Sequence, residues 1–298
     1  MKKFFLLSTL ILLFAPSILA AEFCHYTNGS EGLKAATTPP PGFYYLIYYN
    51  YYYADDYKDI SGNTADIDYK LVVHAQVNRF IWITKKKIFG ADYGMDIIIP
   101  YVYQKVRNGA AGINDSSSGL GDIIIEPLIL SWHKPRFDAC FGLGGYVPVG
   151  KFNVNKPASP GKDRWAGMFT LGGTYYFDKK RSWAASVLSR FEMHTEKDSA
   201  DVKPGNDFHF EWGLSKTISG KWIWDVGAAG YCQWQVTDDK GSAVAFPGDH
   251  DRVFAAGPEI NVFIPEFSTS VSFRSEWEFG AKDRPQGQIM TLTVRKRF

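Results

Sequence analysis

Read for chemistry, the chain offers two short elements first. Asp207 and His209 stand two apart and are followed by Glu211, and Glu192 and His194 stand two apart before a polar stretch. An Asp-x-His element at a wet strand end can orient and activate a water for hydrolysis, with Asp55, Asp56, Asp249, His250 and Asp251 as further acids in polar stretches. If the hairpin around residues 195–208 is symmetric, His194 faces His209 and Glu192 faces Glu211, a ligand set for a divalent cation or a cluster that titrates together. A histidine with a serine two residues further on would be an acyl-transfer pair, and none of the six histidines has one. Asp-x-His is common where strands run into polar loops, and a hydrated polar interior accounts for the same residues. The sequence therefore assigns no catalytic residue and no cofactor, and His194 and His209 are the residues that would hold a metal.

The element that positions these residues is an alternation of period two, the signature of a β-strand. Phe208, Phe210, Trp212 and Leu214 share one parity, against His209, Glu211, Gly213 and Ser215; Val271, Phe273, Trp277 and Phe279 oppose Ser272, Arg274, Glu276 and Glu278. The closing "IMTLTVRKRF" repeats it, with Met290, Leu292, Val294 and Phe298 against Thr291, Thr293, Arg295 and Arg297. The polar parity carries Asp96, Asp122, Glu126, Arg190, Glu192, Glu211, Asp225, Glu259, Arg274, Glu276, Glu278, Arg295 and Arg297. In a dry sandwich core each unpaired charge of that set would cost several kcal/mol, on the order of its whole desolvation penalty. A wet or polar-plugged lumen removes that cost, and the apolar parity then faces lipid. Tyr101, Tyr103, Trp165, Tyr175, Phe177, Trp183, Trp222 and Trp234 fall at strand ends, where interfacial girdles need aromatic rings.

Connections between strands alternate in length. Short ones are expected at Thr84 to Ile88, His133 to Arg136, Asp178 to Ser182, Ser219 to Lys221 and Ile264 to Phe267. Longer ones are expected at Ala54 to Ala65, Asn108 to Ser118, Gly150 to Arg164, Thr195 to Asn206, Thr237 to Asp251 and Gly280 to Pro285. That pattern predicts an all-β transmembrane, antiparallel up-and-down barrel of about twelve strands over residues 43–298, with both termini periplasmic. Lys2, Lys3, the apolar stretch Phe4 to Phe14 and the small Ala20 and Ala21 make residues 1–20 a secretory signal peptide. Residues 21–42 have no period and carry "TTPPPG", so they are a periplasmic tail or a lumen plug. With Lys2 and Lys3 removed from the 33 basic residues, the count equals the 31 acidic ones, which excludes an electrostatic case for nucleic acid. Cys24, Cys140 and Cys232 are too few and scattered for a disulfide framework, so they are free or form one pair.

Three stretches resemble the MetA-pathway of phenol degradation family of exported barrels. "FCHYTNGSEGLKAATTPPPGFYYLIYYNYYYADD" resembles its opening, "SGLGDIIIEPLIL" its Gly-Asp strand (Gly119, Gly121, Asp122, Pro127), and "LGGYVPVGKF" its next strand and loop (Pro148, Gly150, Lys151). The resemblance implies an outer-membrane channel or transporter of a Gram-negative cell for small aromatic or hydrophobic compounds, and brings no catalytic residues. The expected partners are outer-membrane lipid, a small-molecule solute and the barrel-assembly machinery, which would read the terminal Phe298, and the barrel is expected to be a monomer. The charged parity is expected to select the solute, with Asp96, Asp122 and Glu126 as an acidic patch and Arg295 to Arg297 as a basic mouth. The alternatives are a non-conducting structural or surface-interaction barrel and a barrel-embedded hydrolase of omptin-like or phospholipase-like chemistry.

Overall fold

The computed structural model describes residues 24–298, and the signal peptide expected over residues 1–20 lies outside them. Within this range the chain forms β1 (Gly42–Lys58), β2 (Tyr69–Ile88), β3 (Ala91–Asn108), β4 (Ile113–Leu120), β5 (Ile123–Lys134), β6 (Phe137–Val147), β7 (Ala166–Tyr176), β8 (Trp183–His194), β9 (Asp207–Ser219), β10 (Ile223–Gln235), β11 (Arg252–Ile264), β12 (Thr269–Lys282) and β13 (Arg284–Arg297). Every pairing is antiparallel between neighbours, and β1 pairs β13 from Tyr44↔Arg297 to Lys58↔Arg284, which closes the sheet. β4 and β5 pair successive halves of β3, so these two segments make one stave and the barrel has twelve.

The stave breaks at Gly121 and Asp122, where Pro100 of β3 has no N–H to give; Gly121 N instead donates to Pro100 O at 2.9 Å. Beside β4 the ladder is continued by the connection 148–165, with Lys151 N on Leu120 O and Gly161 N on Lys151 O. Asp122 holds that connection in place by accepting the N–H groups of Gly150 and Lys162, both at 2.9 Å.

The alternation decides the faces. Leu171, Leu214, Val187, Phe273 and Leu292 are exposed around the outside, while Glu192, Glu211 and Glu276 on the other parity have no accessible surface. An apolar belt of that extent cannot face water, and with every ladder closed it meets the conditions for lipid contact. Trp82, Phe137, Tyr175, Trp183 and Trp222 ring the end that carries the tight turns, and Tyr101, Tyr103, Trp165, Trp277 and Phe279 ring the other.

Four long connections, 59–68, 148–165, 195–206 and 236–251, lie at one end of the barrel. The other two connections expected there are tight: 109–112 links β3 to β4, and Asp283 alone separates β12 from β13. "NDSSS" and "GAK" read as loop because strands that project beyond the bilayer are wet on both faces, so polarity no longer marks a turn. The same reason moves the first short turn. Lys85 to Lys87 extend β2, and the chain reverses at Phe89 and Gly90, both at positive φ. At the turn end, Asp178 accepts the N–H groups of Trp183 and Ser182, which hold its carboxyl below the usual range.

Gly227 lies tight against β9, and a Cβ there would lie 1.9 Å from the carbonyl oxygen of Leu214. Gly227→Val is expected to cost about 1–3 kcal/mol by overpacking, read as a lower midpoint of the heat-induced gel shift of the folded barrel. Gly248→Ala, at a loop position with nothing within 4 Å, leaves the midpoint unchanged.

Candidate functional site

Residues 24–41 have no ladder of their own, so their backbone donors must find other acceptors. Wall side chains supply them. Glu192 accepts the N–H of His25 at 2.9 Å and of Tyr26 at 3.1 Å, Glu211 that of Glu31 at 2.8 Å, and Glu259 that of Leu33 at 2.8 Å. Ser186 accepts from Ala36, and the carbonyl of Gly29 receives the Arg274 guanidinium and the Thr291 hydroxyl. These residues sit on β8, β9, β11, β12 and β13, so the segment is fixed to one side of the lumen.

Side chains of the segment strengthen the attachment. Tyr26 donates its hydroxyl to Glu211 at 2.9 Å beneath the guanidinium of Arg190, which itself reaches Glu211 at 2.8 Å. Glu31 meets Arg79 at 2.6 Å, and Arg79 also binds Asp96 and Glu126. Lys34 pairs with Asp225 at 2.6 Å, and Thr37 donates to Asp138 at 3.0 Å. His25 places Nε2 3.1 Å from Asp122 and stacks on Tyr146. Burial, then the charges of Arg164 and Lys162, push the His25 imidazole well below its ordinary range, so it is neutral at pH 7. Gly32 passes so close to the wall that a Cβ would stand 1.8 Å from Glu259 Oε2.

Several expected groupings take a different form. Asp96 and Glu126 share Arg79, whereas Asp122 stands apart at the stave break, so the three do not make one acidic patch. Glu278 accepts the hydroxyls of Tyr52 and Tyr231, and Arg274 lies between Glu259 and Glu276. Arg295 and Arg297 share the inward parity of Thr291 and Thr293 at the turn end, where Arg297 donates to Pro41 O. The terminal Phe298 is exposed, with its ring tilted beside that of Phe43. All three cysteines are free.

The register of the β8–β9 hairpin corrects the symmetric one. Glu192 faces Asp207 and Arg190 faces His209, so His194 lies beyond the ladder. The symmetric register would set Glu192 directly against Glu211, a repulsive pair. The observed one puts Arg190 on Glu211 and His209 Nε2 3.0 Å from Glu192. Asp207 pairs with His194 at 2.9 Å and not with His209. Both members of the Asp-x-His element are thus buried in the lumen with separate partners, and they form no water-activating pair at a rim.

Opposite the docked segment the wall is apolar. Leu71, Val73, Ala75 and Val77 of β2 with Ile98 and Val102 of β3 line a cavity of about 290 Å³. Arg79, Arg190 and Arg284 and the rings of Tyr26, Tyr48 and Tyr52 border it. The apolar parity of β2 does not by itself mark this surface as lumen, but Arg79 does: it shares its parity with Leu71 to Val77, and a mid-strand arginine must face the lumen.

A twelve-stave barrel with a lipid-facing belt and a polar interior defines a Gram-negative outer-membrane protein. Residues 54–294 match the family described as "Putative MetA-pathway of phenol degradation", and the chain belongs to it. The solved COG4313 outer membrane channel from Pseudomonas putida F1 is 13% identical with a TM-score of 0.77, over 88% of this chain and 97% of that one. The β domain of the Bordetella autotransporter BrkA is 11% identical with a TM-score of 0.54, over 87% and 100%. At such identities the likeness is one of fold. No curated protein matches the chain in sequence.

Gly32→Val is expected to undock the segment. With Cys140 and Cys232 replaced by serine, the buried Cys24 reports it. A cost of about 1–3 kcal/mol raises the open population, and with it the thiol-labelling rate, by a factor of about 5 to 160. An unchanged rate would show that the Gly32–Glu259 approach does not hold the segment.

Proposed function

We propose that the protein is a monomeric channel that passively admits a small solute with an aromatic or apolar body, and that residues 21–42 act as its plug. The carrying observation is the cavity between the docked segment and the apolar face of β2 and β3. Its volume of about 290 Å³ lies at the small end of ligand sites, the size of a single substituted ring. The apolar wall would take the ring, and Arg79, Arg190 or Arg284 at the border would take an acidic substituent. The family's association with phenol degradation fits this class of solute.

In this reading the turn end, with Gly42 and Phe298, faces the periplasm, and Phe298 serves as the address read by the assembly machinery. The charged residues of the lumen act chiefly by holding the plug, and the solute meets only those that border the cavity. The Asp-x-His element has no hydrolytic role in this reading, since His209 and Asp207 are committed to separate wall partners.

Two measurements test the proposal. Deleting residues 21–41 should raise single-channel conductance in planar bilayers, and absence of current from both forms would sink the channel in favour of a non-conducting barrel. In proteoliposomes, Val73→Asp should slow entry of a small aromatic acid about tenfold or more, because an unpaired carboxylate then enters the apolar wall. Entry of a small sugar should change little; equal loss for both solutes would refute the role of the apolar face.

A further inference from the structure

We propose that His25, Glu192 and His194 form a site for one divalent transition cation of the zinc class, joining the N-terminal segment to β8. Their ligand atoms all lie within 4.8 Å of one another, the one such group of three among the described residues. Two imidazoles and a carboxylate suit zinc, cobalt, nickel or copper far better than calcium or magnesium, and three protein ligands leave a position for water or a fourth group.

The surroundings are those of a metal centre rather than of three solvated side chains. His25 gives Nε2 to Asp122 at 3.1 Å and His194 gives Nε2 to Asp207 at 2.9 Å. A carboxylate behind each imidazole fixes the ring and raises its basicity toward a metal on the other nitrogen. On His25 that other nitrogen, Nδ1, is buried and has no hydrogen-bond partner among the described residues. His209, with Nε2 3.0 Å from Glu192, fixes the orientation of the third ligand's carboxylate. Three carboxylates, Glu192, Asp122 and Asp207, surround the position and outnumber the two cations, Arg164 and Lys162, that act on His25, so the local balance favours a divalent charge. The site exists only while the segment is docked, because His25 comes from the segment and the other two ligands from the wall. A bound cation therefore acts as a staple on the plug.

The test uses the full mature chain, purified in detergent without a histidine tag and stripped with a chelator. Equilibrium dialysis against Zn²⁺ alone should give one equivalent per chain, and Co²⁺ should give a visible d–d absorption that Zn²⁺ displaces. His25→Gln and His194→Gln should each weaken Zn²⁺ binding more than tenfold and abolish the cobalt band, and Asp207→Asn should weaken it about ten- to a hundredfold. His25 lies off the barrel wall, so H25Q cannot fail by misfolding of a strand, and the heat-induced gel shift confirms a folded barrel for H194Q. No stoichiometric binding by the wild-type chain, or binding retained in either histidine variant, would overturn the site. The readout is independent of conductance, so it stands or falls separately from the channel reading.

Discussion

The structure depends on how an irregular peptide is kept inside a closed barrel. A segment without a ladder presents unpaired N–H groups, and at membrane depth each one left unmet costs on the order of 1–3 kcal/mol. Here wall carboxylates accept them: Glu192 takes two, and Glu211 and Glu259 one each. Arg274 does the converse for the carbonyl of Gly29. The same carboxylates are met by Arg190, Arg274 and His209, so the interior encloses paired groups and few isolated charges. Charges that would be a liability in any other core are here the acceptors of a docked, irregular segment.

This arrangement divides the lumen. The residues that bind the segment's backbone come from β8, β9, β11, β12 and β13, and the face of β2 and β3 opposite them has no backbone to satisfy and is lined by valine, leucine and isoleucine. A cavity with one apolar side and one side of tyrosine and arginine follows from that division. The N-terminal segment thus both narrows the lumen and forms part of the surface a solute would meet.

The fold was legible in the sequence because period two survives in nearly every strand, and lumen charges such as Glu211, Arg274 and Glu276 marked their own face. Boundaries were less legible where strands leave the bilayer, since Lys85 to Lys87 and Asn114 to Ser118 are polar for being wet, not for turning. The β8–β9 register was lost because it is set by cross-strand charge pairing, Arg190 with Glu211 and Glu192 with His209, which loop symmetry does not report. Above all, no pattern in residues 24–41 says that their backbone will be bound by particular glutamates. Each wall-bound N–H has its partner more than a hundred residues away, and only the closed barrel brings them together.

The tyrosine-rich first strand follows from the same division. If the inward face of β2 is apolar, period two forces His74, Gln76 and Asn78 onto its outward face, toward lipid. β1 lies alongside and covers His74 and Asn78, leaving Gln76 exposed: Tyr49 hydroxyl meets His74 Nδ1 at 2.7 Å, Tyr45 donates to Asn78 at 2.6 Å, and Tyr51 packs its ring on His74. On the opposite parity Tyr44, Tyr48 and Tyr52 turn inward and give their hydroxyls to Pro40 O, Glu31 and Glu278. Tyrosine is suited to both parities because its ring tolerates lipid or an apolar wall while its hydroxyl satisfies one polar group. "YYLIYYNYYY" is therefore a seam between two inverted surfaces, and an apolar lumen face on β2 is what requires it.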